Sequence, residues 1–134
     1  NKKSYLHYFQ DLIRPELSEF CMEAQVTCGM TDCWAVRYQK GDQQTVHNHR
    51  SWGFSGILYL EFDPKVHTPT CFVAPWQDPR SDTTTLCYPQ GVREGTIFIV
   101  PSYTLHFVHP NQVRKHRTVI AFDLLPQLPD HQSV

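Results

Sequence analysis

The chain has 134 residues, of which 40% are hydrophobic and 19% are charged, and its formal net charge is −1 at pH 7. This composition predicts one globular domain with a core of its own and excludes a disordered chain. The small net charge argues against a partner that is a nucleic acid, and no apolar run approaches the roughly 20 residues that span a bilayer. We therefore expect neither a nucleic-acid nor a membrane partner.

Five cysteines lie at irregular spacings, and none of them forms a C-x-x-C pair. An odd number of unpatterned cysteines is a poor fit to a zinc knuckle, to a thioredoxin-like motif and to a secreted disulfide scaffold. We predict that all five are reduced, mostly buried thiols, in a protein that is cytoplasmic.

The first predicted element in chain order is a helical cap over residues 1–24. Its apolar residues recur at helical spacing, Ser4 is the predicted N-cap, and Pro15 predicts a break into two short helices.

Residues 25–125 change to short runs rich in β-branched and aromatic residues, which turn residues separate. The predicted strands are 33–40, 45–49, 55–62, 70–76, 83–89, 95–101, 105–110 and 117–125. Eight antiparallel strands behind a helical cap predict a mainly β fold, the jelly roll or cupin-like double-stranded β-helix, with a β-sandwich of another topology as the alternative. Residues 126–134 are predicted to be a surface tail, and residues 1–134 to form a single domain.

Two histidines one residue apart, His47 and His49, carry the strongest functional signal. Residues i and i+2 of a strand point to the same face, so both imidazoles can reach one point and form half of a metal site. For an isolated pair, two solvated side chains on an edge strand are the alternative. Further along, a glycine, an apolar strand, Pro101 and a tight turn bring His106 to the start of the next strand, opposite the pair. The other histidines considered are predicted to be solvated or to lie in loops: His67, His109, His116 and His131.

Three segments in order, GDQQTVHNHRSWGFSGILYLEFDP, GTIFIVPSYTLHFVHPN and RTVIAFDLL, resemble the small 2-oxoglutarate- and Fe(II)-dependent oxygenases of bacteria and phages. In that family an H-x-H segment precedes an SGVYYL-like strand. An FPS-x-x-x-H segment and an R-x-S-x-x-F-N-like strand follow. The same residues fit the broader cupin pattern, except that the glutamate expected after the second histidine is missing, since Gly53 and Phe54 stand there.

The resemblance implies an oxygenase that uses Fe(II) and the co-substrate 2-oxoglutarate to hydroxylate a small-molecule or peptide substrate. It implies His47, His49 and His106 as iron ligands. In the larger superfamily a carboxylate usually stands where His49 is, so three neutral imidazoles would leave the metal its full positive charge.

The resemblance also implies that Arg117 anchors the distal carboxylate of oxoglutarate, because a guanidinium can bind a carboxylate through two hydrogen bonds. An arginine at the rim of the site is the alternative. Val119 replaces the family's serine, and Thr118 is expected to point to the other face. Tyr38 and Tyr59 are candidates for binding the co-substrate, with core packing as their alternative role.

Several questions stay open at this point. Trp52 and Phe54 either line the substrate entrance or cap the barrel. A cupin-type metal-dependent dioxygenase or isomerase without a keto acid is a second candidate function. A non-catalytic jelly-roll module that holds a metal is a third. A homodimer is also left open, and the loops do not identify the primary substrate.

Overall fold

The computed structural model describes residues 2–74, 79–81 and 85–127, without the side chains of residues 2–4. The chain begins with two helices, α1 over Lys2–Leu12 and α2 over Arg14–Ala24. Pro15 lies in the first turn of α2, where its missing N–H leaves no helical hydrogen bond unmade. The predicted break is confirmed, but Ser4 lies inside α1 and is not its N-cap, because the helix begins earlier. Neither helix of the described residues is long and apolar enough to cross a membrane.

Eight strands follow in the described residues, and they form two four-stranded sheets. The strands are β1 Cys28–Tyr38, β2 Gln44–His47, β3 Phe54–Glu61, β4 Cys71–Val73, β5 Leu86–Cys87, β6 Ile97–Pro101, β7 His106–Val108 and β8 Arg117–Pro126. The sheet orders are β1-β8-β3-β6 and β2-β7-β4-β5. The first strand pairs with the last, and the pairing continues inward: β1 with β8, β2 with β7, β3 with β6, and β4 with β5. All of these pairs are antiparallel. This is one long hairpin rolled into two sheets, so the predicted jelly roll is confirmed.

Strand β8 divides the core into two layers, since successive side chains of a strand point to opposite faces. Its even-numbered residues from 120 to 124 pack toward the helices, and its odd-numbered residues Val119 and Ala121 face the space between the sheets. The layer under the helices consists of Phe9, Ile13, Met30, Leu58, Ile120, Phe122 and Leu124. The layer inside the barrel consists of Tyr38, Tyr59, Phe62, Val92, Val108 and Val119.

The close approach of β3 to β8 depends on Gly56. A Cβ atom at this position would lie 2.1 Å from Cζ of Phe122, so a larger residue would displace that ring. The Phe122 ring has no exposed surface, and its centroid lies 5.6 Å from that of Phe9 in α1. The glycine therefore lets the ring fill the layer between the sheet and the helices.

Strand boundaries and the cysteines differ in part from expectation. β1 begins at Cys28 and not at residue 33. Among the described residues, β4 and β5 cover less than the predicted runs over 70–76 and 83–89, and residues 75–76 and 83–84 of these runs lie outside the described residues. All five cysteines are free, as predicted, but Cys71 alone is buried. The prediction of mostly buried thiols is wrong because the others lie on α2 and on β1 and β5, which are edge strands of the two sheets. His131 and most of the predicted tail lie outside the described residues.

Candidate metal centre and co-substrate pocket

Three histidines meet at one end of the barrel interior. His47 ends β2, His106 begins β7, and these two residues are paired across the sheet. His49 follows β2 by two residues. One ring nitrogen from each histidine lies within 4.8 Å of the other two, a spacing that one ion can bridge with small side-chain adjustments. The structure thus brings together the three residues that the sequence singled out as ligands.

The second histidine of the H-x-H pair reaches this point by a route that the sequence did not predict. Strand β2 ends at His47, so His49 lies outside the observed strand, although the predicted strand over residues 45–49 included it. The N–H of His49 donates to the carbonyl of Ser102 at 3.0 Å, in the turn before β7. Proximity of the two rings was predicted correctly, but the turn between β6 and β7 positions the second ring, and the strand pleat does not.

Each of the three rings has an oxygen acceptor at Nδ1. The pairs are His47 with the Thr45 carbonyl at 2.7 Å, His106 with the Thr104 carbonyl at 2.9 Å, and His49 with Oδ1 of Asp123 at 2.9 Å. A carbonyl or carboxylate oxygen can only accept, so Nδ1 carries the proton in all three rings. The lone pair of a neutral ring then lies on Nε2. The three rings therefore share the tautomer that offers Nε2 to a metal, and the hydrogen bonds at Nδ1 hold their orientation.

His106 is the most enclosed of the three rings, with 6% of its surface exposed. Burial lowers the pKa of His106 to about 4; the nearby His47 and His49 add to this effect, and the hydrogen bond to the Thr104 carbonyl opposes it. The ring is consequently neutral at pH 7, which is the form that binds a metal.

Asp123 contacts this cluster and was missed by the sequence reasoning. Its side chain is 8% exposed, and its Oδ1 accepts hydrogen bonds from His49 and, at 2.7 Å, from Oγ of Ser55. It occupies the last position of the R-x-S-x-x-F-N-like segment, where the family pattern has asparagine. An acidic residue inside the apolar run VIAFDLL was the available signal, because a carboxylate is buried only where it has partners.

Arg117 lies at the other end of β8, on the same face as Asp123, and 2% of its surface is exposed. Its Nε donates to the Thr68 carbonyl at 3.0 Å, and Nη2 donates to Oγ1 of Thr70 at 3.1 Å. Nη1 is buried and has no hydrogen-bond partner. Within the described part of the chain, no carboxylate pairs with this guanidinium. Burial lowers the pKa of Arg117, yet an arginine keeps its proton inside a protein, so the interior contains a cation that lacks an anion.

Tyr38 and Tyr59 surround the Arg117 guanidinium. Cζ of Arg117 lies 5.0 Å from the centroid of the Tyr38 ring and 5.5 Å from that of Tyr59. The Tyr59 hydroxyl accepts from the N–H of Thr70, and the Tyr38 hydroxyl donates to Gln44. Tyr38 lines the cavity, whereas Tyr59 is completely buried. Both rings pack around the cation, and a direct contact with the co-substrate stays a prediction.

A cavity between the two sheets connects the histidines with the neighbours of Arg117. Its empty volume, including the opening to solvent, is about 480 Å³. His47, His49 and His106 line one part of it, and Tyr38 and Thr70, which both contact the guanidinium, line another. The wall between is mainly apolar: Val36, Ile57, Val108, Val119 and Ala121.

The other histidines mostly lie where the sequence predicted. His109 and His116 are exposed. His67 lies in a loop but is buried, because its Nδ1 accepts from the N–H of Asp63 and its Nε2 donates to the carbonyl of Lys115, both at 2.9 Å. The loop therefore folds back on the barrel, and the ring ties two connections together.

Three residues near the motifs take places outside the cavity. Phe54 packs edge-on against Phe20 of α2, with ring centroids 5.0 Å apart, so it caps the barrel under the helices. Trp52 is 47% exposed. The hydroxyl of Thr118 donates to Glu61, on the face opposite the cavity, as predicted.

The sequence model of one protein family matches this chain over residues 32–123, which is more than half of its length. That family is described as "Putative 2OG-Fe(II) oxygenase". The match includes the three histidines, Arg117 and Asp123. Among curated protein sequences, none matches this chain significantly.

Solved structures share the fold at low sequence identity. An oxidoreductase of the 2OG-Fe(II) oxygenase family from Burkholderia pseudomallei is similar with a TM-score of 0.67 and 16% identity, over 91% of this chain and 55% of that one. A prolyl-4-hydroxylase from Pseudomonas putida has a TM-score of 0.56 and 16% identity, over 92% and 65%. HygX from Streptomyces hygroscopicus, solved with iron bound, has a TM-score of 0.56 and 12% identity, over 78% and 61%. This chain thus spans less than two thirds of each of these structures.

Proposed function

Because the chain belongs to the 2OG-Fe(II) oxygenase family, we propose that it hydroxylates a C–H bond of a small-molecule or peptide substrate, with Fe(II) as its metal and 2-oxoglutarate as its co-substrate. His47, His49 and His106 would hold the metal, and Arg117 would bind the distal carboxylate of oxoglutarate. The observation that carries the proposal is the buried guanidinium of Arg117, whose Nη1 has no partner. It contacts Tyr38 and Thr70, and these two residues line the same cavity as the three histidines.

The histidine cluster fits a divalent metal of the first transition series. Imidazole nitrogen is a suitable ligand for Fe(II), and the Nδ1 hydrogen bonds leave all three Nε2 atoms free to bind. Three protein ligands leave further coordination positions for a chelating co-substrate and O2. When both are bound, the metal and oxoglutarate supply the oxidation: one atom of O2 enters the substrate C–H bond, the other enters succinate, and CO2 is released.

Arg117 fits the second carboxylate of a dicarboxylate ligand. Its hydrogen bonds to Thr68 and Thr70 fix the plane of the guanidinium, which leaves Nη1 as the unused donor. Buried polar groups normally have partners, so an orphaned charged donor beside a cavity favours an anionic ligand there. The apolar side chains of Val108 and Val119 limit access of water to this part of the cavity, which strengthens such a pair.

A cupin-type dioxygenase or isomerase is the second candidate, because a cluster of three histidines without a direct carboxylate ligand would serve it equally well. Such an enzyme needs no cation for a keto acid. The unpaired guanidinium of Arg117 therefore favours the oxoglutarate-dependent reaction.

The test is an anaerobic titration of the protein with Fe(II), with and without oxoglutarate, in which the weak visible metal-to-ligand band of the chelate is recorded. We expect the band in wild type with both ligands, and its loss in His106→Ala. O2 is then admitted, and the conversion of oxoglutarate to succinate is measured. Binding of Fe(II) without any binding of oxoglutarate would transfer support to the cupin-type function, and failure to bind any divalent metal would refute both.

A further inference from the structure

We propose that Asp123 is a positioning residue of the metal centre, which supplies through His49 the negative charge that a set of three histidine ligands lacks. The inference rests on the metal site of the proposed function, and does not depend on oxoglutarate.

Asp123 belongs to a closed ring of hydrogen bonds. Its Oδ1 accepts from Nδ1 of His49 at 2.9 Å and from Oγ of Ser55 at 2.7 Å. Oγ of Ser55 lies 2.9 Å from Oγ of Ser102, and the Ser102 carbonyl accepts from the N–H of His49 at 3.0 Å. Both serines are buried. The ring of contacts fixes the carboxylate and the His49 imidazole relative to one another.

The acceptor behind His49 differs in charge from the acceptors behind the other two ligands. His47 and His106 donate to the neutral backbone carbonyls of Thr45 and Thr104, whereas His49 donates to a carboxylate. A carboxylate behind an imidazole makes the ring a more basic ligand and fixes its tautomer.

This network of hydrogen bonds also places the negative charge of Asp123 behind His49, so that one side chain would separate it from the metal ion. The usual set of two histidines and one carboxylate carries that charge on a ligand itself. Here the charge stands behind His49, the residue that occupies the place of the carboxylate ligand of the larger superfamily. Arg50 also lies near Asp123: its Nη2 is 3.9 Å from Oδ2, an ion-pair distance that is too long for a hydrogen bond. His49 is therefore hydrogen-bonded directly to the carboxylate of Asp123, whereas Arg50 interacts with it across a longer ion pair.

The decisive variant is Asp123→Asn, because its amide oxygen can still accept from Nδ1 of His49 while the charge is removed. We expect Zn(II) and Co(II) to bind about 10–100-fold more weakly, the usual effect of losing such a partner. Affinity is measured by competition with a chromophoric chelator, without O2 or oxoglutarate. The visible spectrum of bound Co(II) should shift as well, since the donor strength of His49 changes.

Asp32→Asn is the matched control. Asp32 lies opposite Asp123 in the β1–β8 pair but is exposed, so removing its charge should change metal affinity by less than about twofold. Ser55→Ala removes one hydrogen-bond donor to the Asp123 carboxylate and keeps the charge, so it should weaken metal binding several-fold. It replaces Asp123→Asn as the test variant if Asp123→Asn does not fold. Wild-type affinity in Asp123→Asn, or in Ser55→Ala where that variant is the one measured, would overturn the inference and leave the proposed oxygenase intact. A wild-type protein that binds no metal would instead refute the proposed function.

Discussion

Replacing Arg117 with methionine removes the buried charge and keeps an unbranched side chain. In the proposed complex the guanidinium forms a buried, charge-assisted pair with a carboxylate of oxoglutarate. Removing one partner of such a pair costs about 3–5 kcal/mol, because the other charge is left buried and alone. Since about 1.4 kcal/mol is a factor of ten in affinity, the Kd for oxoglutarate should rise by roughly two to almost four orders of magnitude.

The same substitution should change the stability of the ligand-free protein much less. It removes two hydrogen bonds from a charged donor, to Thr68 and Thr70, worth about 1.5–3 kcal/mol each. It also relieves the burial of an unpaired cation, which costs several kcal/mol. These effects oppose one another and are of similar size, so the loss of ligand binding should exceed any loss of stability.

The assay is thermal unfolding of the Zn(II)-loaded protein with and without oxoglutarate, supported by calorimetric titration. A ligand at 100 times its Kd stabilises the folded state by about 2.7 kcal/mol, so wild type should show a clear rise in Tm, and Arg117→Met should show none. Arg114→Met is the matched control, because Arg114 is exposed in the loop that precedes β8. Equal binding of oxoglutarate by wild type and Arg117→Met would refute the anchor, and simultaneous loss of the metal would show that the residue acts through the fold.

Four other predictions follow from the described contacts. Alanine at His47, His49 or His106 should each abolish binding of about one equivalent of divalent metal in a protein that stays folded, and metal retained in all three variants would exclude the site. The folded-state pKa of His106 is about 4 against an ordinary 6.5, so the unfolded state binds the extra proton between these values. Stability of the metal-free protein is then complete above about pH 6.5 and falls by about 3 kcal/mol toward pH 4, as urea unfolding of wild type and His106→Asn can measure. Gly56→Ala should lower the free energy of unfolding by about 1–3 kcal/mol through overpacking, whereas Gly29→Ala, whose Cβ would meet nothing within 4 Å, should not. Alkylation without reductant under denaturing conditions should modify all five cysteines, and mass spectrometry that finds two of them protected would contradict the free thiols.

The jelly roll could be predicted because turn residues separate its eight apolar runs, and the order of strands in a long rolled hairpin then follows. The beginning of β1 could not be predicted in the same way. Residues 28–32 include Gly29 and Asp32, which are poor strand formers, and they become a strand by pairing with the end of β8. Tertiary pairing thus overrides local propensity at this edge.

The candidate site could be predicted as a set of residues but not as a set of contacts. The spacing of the motifs indicated His47, His49 and His106. His49 is positioned by the hydrogen bond that its N–H donates to the Ser102 carbonyl, and this bond depends on how two turns meet in space. The role of Asp123 depends on the register of β8 against β3, which places it opposite Ser55, and no local pattern contains that register.

If the proposed sites are correct, the charges on β8 should couple binding of the metal to binding of the co-substrate. Arg117 and Asp123 lie on the same face of this strand, six residues apart, which is roughly 20 Å in an ideal strand. Together they are neutral. In the proposed complex, a divalent ion held by the histidines would add two positive charges near Asp123, and oxoglutarate would add two negative charges between the ion and Arg117. Either ligand alone leaves excess charge in a poorly hydrated interior, whereas both together restore neutrality. Each should therefore strengthen the binding of the other, and linkage requires the two enhancement factors to be equal.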